Sequence, residues 1–353
     1  MKILIGISGG VDSSYAAYKL LKEGNEVEAA VLKMHSYTEI ESASEAASSL
    51  GIPLHIIDCT ESFDKIVVSN FISEYKNART PNPCIVCNSE IKFRFLLDYA
   101  IEHGFDAIAT GHYARIEEFD GDIEDIPSSK VKRYAVARAK DAKKDQTYML
   151  YRLSQDILEK LIFPLADMCK AEVRQEAAKC GLTCADRADS QEICFVPDGD
   201  YASFIEERTE PSLCGDFVDE NGKVLGRHKG LIRYTVGQRK GLGISASGRI
   251  FVTKIDTVSN SITLSLTDPT YTSVIIDNVS YQAFPRLEEG IRYRFKVKLR
   301  YAAAPVDTVA EVMNDGKILL KLDTPVRAVT SGQSAVLYFG DTIALGGFIC
   351  SAY

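Results

Sequence analysis

Three cysteines lie among residues that suit chemistry better than packing. Cys84 and Cys87 form a C-x-x-C within residues 79–93, and Cys194 lies beside polar residues in segment 190–197. A C-x-x-C pair is close enough to share a metal or to form a redox pair. Two prolines and two asparagines predict that residues 79–93 form a loop, so its cysteines are not simply core residues. Cys194 taken alone is more typical of a small buried hydrophobe.

A second chemical feature is the sequence SGGVDS at residues 8–13, which follows a short apolar run. Two glycines allow a tight turn that aims successive backbone N–H groups at one point, and a following helix N-terminus favours an anion there. Ser8 and Ser13 supply hydroxyl donors, while Asp12 suits either a metal or the helix cap. The motif lacks the Gly-Lys-Ser/Thr ending of a Walker loop. It predicts a phosphate site, with a plain glycine turn as the alternative.

Strand and helix patterns alternate through the first 110 residues. This alternation predicts a doubly wound α/β domain with a parallel sheet. Such domains bind ligands at the carboxyl ends of the strands. The SGGVDS loop follows the first strand and therefore lies at that edge. The predicted strands are 2–7, 27–32, 54–58 and 106–109, and the predicted helices are 13–23, 41–50, 62–75 and 91–103.

The pattern changes near residue 200 to short runs rich in Val, Ile, Thr and Tyr, punctuated by Gly, Pro, Asp and Asn. This pattern predicts two small, mainly β domains containing one or two small barrels. We expect domains at 1–200, 201–272 and 273–353, and a surface loop at the polar insertion 120–130. The predicted strands are 249–256, 261–266, 293–299, 308–312 and 318–322.

Composition excludes several classes of protein. The 353 residues are 46% hydrophobic and 25% charged, which is typical of a folded globular chain. No apolar stretch approaches the length of a membrane helix, and the apolar run at the N-terminus is too short for a signal peptide. Nine cysteines are an odd number over a long chain. A reducing cytoplasm therefore fits better than a secreted disulfide framework.

Net charge by itself argues against a nucleic-acid partner, because 41 basic and 49 acidic residues give −8. The distribution of charge argues otherwise. Residues 223–254 contain eight basic and no acidic residues, and residues 286–300 contain six basic and two acidic ones. Residues 130–180 carry twelve basic and seven acidic residues, whereas 181–222 carry two and eleven. Because phosphate binding depends on the local field, the basic blocks predict an RNA face on an acidic protein.

The SGGVDS motif resembles the pyrophosphate loop of the N-type ATP pyrophosphatases, which cleave ATP between its α and β phosphates. Taken with other motifs, the chain resembles the tRNA-specific 2-thiouridylases (the MnmA family) along essentially its whole length. The motifs that carry this resemblance are GISGGVDSS (6–14), NPCIVCNSEIKF (82–93), ATGHYAR (109–115), KDQTYML (144–150), FPLADMCKAEVR (163–174), DSQEICF (189–195), YTVGQRKGLGI (234–244) and VTSGQSAVLYFGD (329–341).

The resemblance implies a reaction. ATP, with Mg²⁺, would adenylate O2 of the wobble uridine (U34) of tRNAs for Lys, Glu and Gln, and sulfur would then attack C2. Cys194 would carry the sulfur as a persulfide, and Cys87 would release it and end in a Cys87–Cys194 disulfide. The sulfur donor would be a cysteine desulfurase or a sulfur-relay protein.

The resemblance also assigns binding residues. Without it, Met34 reads as packing, Gly111 and His112 as a turn, and segment 140–146 as a solvated charge run. The implied ATP-binding residues are Gly6, Ile7, Ser8, Gly9, Gly10, Val11, Asp12, Ser13, Met34 and Gly111. The implied tRNA contacts are Asn82, Pro83, Cys84, His112, Lys144, Asp145, Gln146, Arg300, Tyr301 and Gln333.

One position departs from the family pattern. The best-known members have Asp where this chain has Cys84, so three cysteines converge: Cys84, Cys87 and Cys194. Three thiolates are also what a [4Fe-4S] cluster with one open iron requires. Persulfide and cluster chemistry both remain open at this point, whereas a structural zinc lacks an evident fourth ligand.

Two other functions compete with thiolation. An amide ligase or synthetase would use the same phosphate loop but would leave the three cysteines without a role. A non-catalytic RNA-binding or sulfur-relay protein would leave the intact SGGVDS loop without one.

Overall fold

The N-terminal part of the chain folds around a five-stranded parallel sheet in strand order β3-β2-β1-β4-β7. The computed structural model describes residues 1–121, 129–182 and 193–353. Its sheet confirms the predicted doubly wound α/β architecture. The five strands are β1 (Lys2–Gly6), β2 (Glu26–Lys33), β3 (Leu54–Asp58), β4 (Ala107–Thr110) and β7 (Leu161–Ile162).

Helices cover both faces of this sheet. In α1, Ala16, Ala17, Leu20 and Leu21 recur at the spacing typical of a helix, and the first three are buried whereas Leu21 is half-buried. Two π-helical segments join neighbouring α-helices into longer rods: Asp64–Val68 between α3 and α4, and Asn88–Lys92 between α5 and α6. The helices are α1 (Val11–Lys22), α2 (Ile40–Leu50), α3 (Thr60–Phe63), α4 (Ser69–Lys76), α5 (Pro83–Cys87), α6 (Phe93–Glu102), α7 (Gln155–Lys160), α8 (Lys170–Lys179) and α9 (Tyr201–Glu206).

The prediction of a loop over residues 79–93 is wrong for its larger part. Pro83 begins α5, which continues through the π-helical segment into α6. Proline suits the first position of a helix, because its missing N–H would have no partner there. Asn82, in an extended conformation, is the residue before the helix. The two cysteines of the C-x-x-C therefore stand on a helix and have a defined orientation.

The middle of the chain forms a four-stranded sheet in strand order β10-β11-β8-β9, in which β11 and β8 run parallel. A buried cluster that includes Phe217, Val252 and Ile262 is its core. The strands are β8 (Gly215–Val218), β9 (Val224–His228), β10 (Phe251–Asp256) and β11 (Ser261–Ser265), and two 3₁₀ turns occur at Thr147–Met149 and Leu231–Arg233.

The C-terminal strands close into a six-stranded antiparallel barrel, because β12 pairs with both β15 and β17. These strands are β12 (Thr270–Tyr281), β13 (Arg292–Lys298), β14 (Val306–Val312), β15 (Ile318–Arg327), β16 (Ser334–Phe339) and β17 (Thr342–Ala352). A hairpin that sequence patterns missed, β5 (Ala114–Gly121) and β6 (Ser129–Arg138), extends the sheet beside β17. Most of the polar insertion at 120–130 lies outside the described residues.

The barrel and the α/β unit share a continuous core. Val336 and Tyr338 of the barrel belong to the same buried cluster as Tyr148 and Tyr151. The hydroxyl of Tyr148 donates to the backbone oxygen of Ser334 at 2.8 Å, and that of Tyr151 lies 3.0 Å from Ser334 Oγ. Burying each large side chain stabilises the fold by about 1.5–3 kcal/mol, so the two units are held in one relative orientation. Within residues 1–121, 129–182 and 193–353, no helix has both the length and the apolar character needed to cross a bilayer.

Candidate functional site

The phosphate loop lies between β1 and α1 and is closed by its own hydroxyl groups. The N–H of Ser8 donates to Ser13 Oγ at 3.1 Å, and Ser13 Oγ donates to the backbone oxygen of Gly10 at 3.2 Å. Gly9 has φ +76°, and a Cβ there would lie 2.6 Å from Ser42, so only glycine fits. Gly6 ends β1, the N–H of Ile7 donates to Ala30, and Val11 begins α1.

Asp12 does not cap α1, which contradicts one of the two roles that its position suggested. Gly10 is the N-cap residue and makes no side-chain cap. The Asp12 carboxylate instead accepts from Lys170 Nζ at 2.6 Å and from the hydroxyl of Tyr113 at 2.8 Å. Lys170 is buried at the start of α8. This network ties the first turn of α1 to two other elements beside the phosphate loop.

Gly111 and His112 follow β4 and connect two parts of the site. A Cβ on Gly111 would lie 2.6 Å from the backbone nitrogen of Ser13, so this residue packs directly on the start of α1. The His112 ring lies 5.5 Å from that of Phe93, and its Nδ1 is 2.9 Å from Thr110 Oγ1. Desolvation, with a smaller effect of Lys92, lowers the pKa of His112 to about 3, so the ring is neutral near pH 7.

The three predicted cysteines come together, because Cys84 and Cys194 both lie within electrostatic range of Cys87. Cys87 is buried in the core cluster, whereas solvent reaches Cys84 and Cys194. Cys87 Sγ lies 3.6 Å from Met34 Sδ, just beyond the end of β2. Met34 thus contacts the thiol region directly.

Burial raises the pKa of each of these thiols. Burial, together with the nearby Cys194 and Cys84 and opposed by Lys92, raises that of Cys87 to about 12. The pKa of Cys194 is raised by burial and then by Cys84, and that of Cys84 is raised by burial. The three sulfurs therefore lie within electrostatic range of one another, and the buried Cys87 must lose a proton in a poorly solvated setting before it can act as a nucleophile.

A fourth thiol, which sequence reasoning missed, belongs to the same group. Cys59 is buried directly after β3, and burial raises its pKa to about 12, with Cys87 contributing. Its position at the carboxyl end of a parallel strand is the signal that could have identified it. His35 was also missed: both of its ring nitrogens are buried without a hydrogen-bond partner in the described part of the chain.

The thiols do not form a metal site as placed. Among the residues that the structure describes, no group of three or more Cys, His, Asp or Glu side chains could hold a metal ion. The [4Fe-4S] cluster on Cys84, Cys87 and Cys194 therefore stays a prediction.

Residues from the barrel and the middle sheet hold the segment that leads into α5. Gln333 Nε2 donates to the backbone oxygens of Thr80 at 2.8 Å and Pro81 at 3.3 Å. The N–H of Thr80 donates to Ser331 at 2.9 Å, and its hydroxyl donates to Thr235 at 3.3 Å. Connecting segments from the three parts of the chain therefore meet around Thr80, three residues before Pro83.

The segment 144–149 packs against the same helix. Asn82 Nδ2 lies 3.5 Å from the sulfur of Met149, and Asn88 Nδ2 donates to the backbone oxygen of Met149 at 3.0 Å. Gln146 Oε1 accepts from the N–H of Tyr113 at 2.8 Å. Gln146 is thus coupled to the residue whose hydroxyl binds Asp12.

Lys144, Asp145, Arg300 and Tyr301 form a second group near the barrel. Asp145 is nearly buried, with Lys298 Nζ and Arg138 Nε each 3.5 Å from its carboxylate. Tyr301 is exposed and interacts electrostatically with Asp145 and Lys144. Arg300 interacts electrostatically with the buried Tyr148. The internal ion pairs of Asp145 favour a role in positioning this group.

The two C-terminal basic blocks differ in how their charge is used. In 286–300, four of the six cations have carboxylate partners, such as Arg294 with Asp323 at 2.9 Å and Lys296 with Asp307 at 3.1 Å. In 223–254, five exposed cations have no ion pair within the described residues. They are Lys223, Lys229, Arg239, Lys240 and Arg249. Of the two blocks, the positive charge without a carboxylate partner is therefore concentrated in 223–254, in the segments that flank β9 and precede β10.

Three family models match the chain in succession. They are the tRNA methyl transferase HUP domain at residues 1–198, the tRNA methyl transferase PRC-barrel domain at 202–265 and the aminomethyltransferase beta-barrel domain at 273–349. A solved 4-thiouridine synthetase–RNA complex with bound ATP covers 59% of this chain and 50% of that one, at 17% identity and a TM-score of 0.35.

Similarity to curated proteins extends over almost the entire chain. Proteins named tRNA-specific 2-thiouridylase MnmA from Acetivibrio thermocellus, Clostridium acetobutylicum and Lachnoclostridium phytofermentans are each 40% identical to it. Each comparison covers 99% of this chain and 99% of the relative. Together with the fold and the convergent thiols, this similarity shows that the chain belongs to the MnmA family of tRNA-specific 2-thiouridylases.

Proposed function

We propose that this protein is an ATP-dependent sulfurtransferase that converts the wobble uridine of tRNA to 2-thiouridine. The main support for this proposal is the position of the dipeptide Gly111-His112. Gly111 packs on the start of α1 at the phosphate loop, and His112 packs on Phe93 at the base of the cysteine-bearing helix. A nucleotide phosphate and a sulfur nucleophile can therefore reach the same substrate atom from adjacent sides.

The first step is activation of the base. The phosphates of ATP lie against the backbone of residues 8–13, where the N-terminus of α1 favours negative charge. The uridine O2 attacks the α-phosphorus and pyrophosphate leaves. Mg²⁺ accompanies the phosphates, since it is commonly bound through one or two carboxylates and substrate oxygens. Asp12 is the carboxylate beside the loop. Because the described residues contain no group of three or more side chains that could hold a metal ion, phosphate oxygens of the nucleotide would supply the other ligands.

The second step is sulfur transfer from a persulfide on Cys194. Its terminal sulfur attacks C2, and AMP leaves with the former carbonyl oxygen. The Cys87 thiolate then attacks Cys194 Sγ, the sulfur–sulfur bond to the substrate breaks, and a Cys87–Cys194 disulfide forms. The two electrons that the cysteines lose reduce the transferred sulfur to the thiocarbonyl. An external thiol restores the enzyme, and a cysteine desulfurase or relay protein reloads Cys194.

The persulfide route is preferred here over the iron–sulfur route. The solvent-exposed thiol of Cys194 is open to a sulfur donor, and the buried Cys87 lies within its electrostatic range. This arrangement suits a carrier and a resolving thiol, and no three of the described Cys, His, Asp or Glu side chains are grouped as metal ligands. Iron and acid-labile sulfide, measured after anaerobic purification, test this choice: an activity that tracks iron content contradicts the persulfide route.

The tRNA is proposed to bind across the segments that flank the strands of the middle sheet. Five cations of 223–254 without an ion pair in the described part of the chain provide the electrostatic attraction, and Arg300 and Tyr301 provide a further cation and an exposed ring. The segment 79–83, which Gln333 holds and which is hydrogen-bonded to Thr235, connects this region to the cysteine-bearing helix α5.

Nucleoside mass spectrometry tests the proposal. Anticodon-arm tRNA is incubated with ATP, Mg²⁺, cysteine, a cysteine desulfurase and a thiol reductant, and the digest is examined for 2-thiouridine. Cys194→Ala should abolish the product while ATP binding remains, and Cys214→Ala, an exposed cysteine on the middle sheet, should retain it. Pyrophosphate release that depends on ammonia instead of tRNA would indicate an amide ligase.

A further inference from the structure

Lys92 is a cation that neither the motifs nor the family resemblance assigned to a role. It ends the π-helical segment Asn88–Lys92 and is half-buried. Within the described residues it has no ion pair, although most cations of the α/β unit are paired, as Lys170 is with Asp12. A partly desolvated cation without a carboxylate partner is costly unless an anion occupies its surroundings during function.

The π-helical turn determines which residue lies next to Cys87 on the same face of the helix. In an α-helix, residues four apart share a face, so Ile91 would lie next to Cys87. A π-helix bonds residues five apart, which brings Lys92 into that position. The backbone N–H of Lys92 interacts with the Cys87 sulfur, and the Lys92 side chain is half-buried, whereas Ile91 is fully buried. Insertions of this kind occur frequently at functional sites.

Lys92 acts on groups from three different elements. Its charge opposes the effect of burial on the pKa of Cys84 and Cys87 from α5, and on that of Cys194 from the segment before α9. It also lowers the pKa of His112, which follows β4. The other titratable group beside these thiols is Cys59, which is buried and uncharged near pH 7. In the described part of the chain, Lys92 is the one cation that acts on all three of the predicted cysteines.

We propose that Lys92 is the positioning residue that stabilises the sulfur anions of this site, first the Cys194 persulfide and then the Cys87 thiolate. Its part in sulfur transfer rests on the proposed function. The two anions form in succession at neighbouring atoms, so one cation within electrostatic range of both serves both steps. Neutral His112 adds no competing positive charge, and the lack of a carboxylate partner leaves the Lys92 ammonium available to sulfur.

The test measures thiol ionisation without ATP or tRNA, so that it does not depend on turnover. The reduced full-length protein is alkylated with iodoacetamide between pH 6 and pH 11, and peptide mass spectrometry gives the rate at Cys84 and Cys194 separately. Lys92→Met should shift the pH midpoint of both upward and slow alkylation at pH 8 by about threefold to tenfold, because one pKa unit is a tenfold change in thiolate. Lys92→Arg should restore the midpoint.

Lys65→Met is the matched control, since Lys65 lies on the other π-helical segment and pairs with the exposed Glu61. It should leave both profiles unchanged. If Lys92→Met and Lys92→Gln fold normally and keep the original midpoints, the proposal is overturned. A higher KM for ATP or weaker tRNA binding with unchanged thiol profiles would also overturn it, and would show a phosphate contact instead. If Lys92→Met shifts the thiol midpoints but the wild-type enzyme forms no 2-thiouridine, the electrostatic role of Lys92 is supported. Only the proposed function is then contradicted.

Discussion

Lys170 Nζ lies 2.6 Å from Asp12 Oδ2, although the two residues are 158 positions apart in the chain. Both side chains are largely enclosed, and the hydroxyl of Tyr113 completes the carboxylate's hydrogen bonds. The pair neutralises an acidic group that stands within the phosphate loop itself. A nucleotide can approach this loop because the one carboxylate there is already compensated.

Replacing Lys170 should therefore weaken both the fold and nucleotide binding. In Lys170→Met, Asp12 becomes an uncompensated carboxylate beside the phosphates. We expect the free energy of unfolding to fall by about 1–3 kcal/mol and the KM for ATP to rise about tenfold. Urea denaturation and pyrophosphate-release kinetics measure the two effects. Lys179→Met, on the exposed end of the same helix, is the control. Adding Asp12→Asn to Lys170→Met should recover part of the lost stability; no recovery would show that the carboxylate is not the cause.

Gly111→Ala should disrupt the phosphate loop with little effect elsewhere. Its Cβ would lie 2.6 Å from Ser13 N and 2.7 Å from the carbonyl carbon of Asp12, so the first turn of α1 must move. Because backbone is displaced, we expect at least a tenfold loss of ATP affinity by calorimetry, in line with a 1–3 kcal/mol overpacking penalty. Gly248→Ala, whose Cβ would meet only Leu266 at 3.8 Å, is the control. Equal affinities in the two variants would contradict the close packing.

His112 should make the fold sensitive to acid. Its pKa is about 3 when folded and about 6.5 when unfolded, so the unfolded chain binds the extra proton between these values. Stability from this residue is present above pH 6.5 and is lost as the pH falls toward 3. Allowing for partial exposure, we expect wild type to lose about 1 kcal/mol more than His112→Gln between pH 7 and pH 5.

Urea denaturation at pH 5, 6 and 7 measures this difference. His103→Gln, at the exposed end of α6, should behave like wild type. Parallel pH profiles for wild type and His112→Gln would show that the imidazole is already well solvated.

The salt dependence of tRNA binding should depend on the cations of 223–254 that have no ion pair among the described residues. Removing Arg239 and Lys240 together should reduce the slope of log K against log salt by about 1.5, because each lost phosphate contact removes about 0.7–0.9. Arg294→Gln is the comparison, because Arg294 is paired with Asp323 on the barrel. Filter binding between 50 and 300 mM KCl provides the slopes. A larger effect from Arg294→Gln would place the RNA on the barrel instead.

Local patterns in the sequence were sufficient for much of the architecture. Alternating apolar runs predicted β3 to the residue, and the spacing in α1 predicted its buried face. Both are short-range properties, since a strand or a helix is determined by its own periodicity. The same reasoning failed for α5, because proline and asparagine mark helix starts as well as loops.

The cysteines show most clearly what the sequence determines and what only the tertiary structure determines. By itself, the sequence identified three candidate thiols, because a C-x-x-C and a distant Cys194 stand in motifs whose residue types suit sulfur chemistry. Only the tertiary structure decided their states: which thiol is buried, which is open to solvent, and which cation lies within electrostatic range. Likewise, the sequence located the basic blocks, but only the ion pairs of the barrel separated neutralised cations from available ones. Burial and electrostatic fields depend on residues far apart in the chain, so no local pattern contains them.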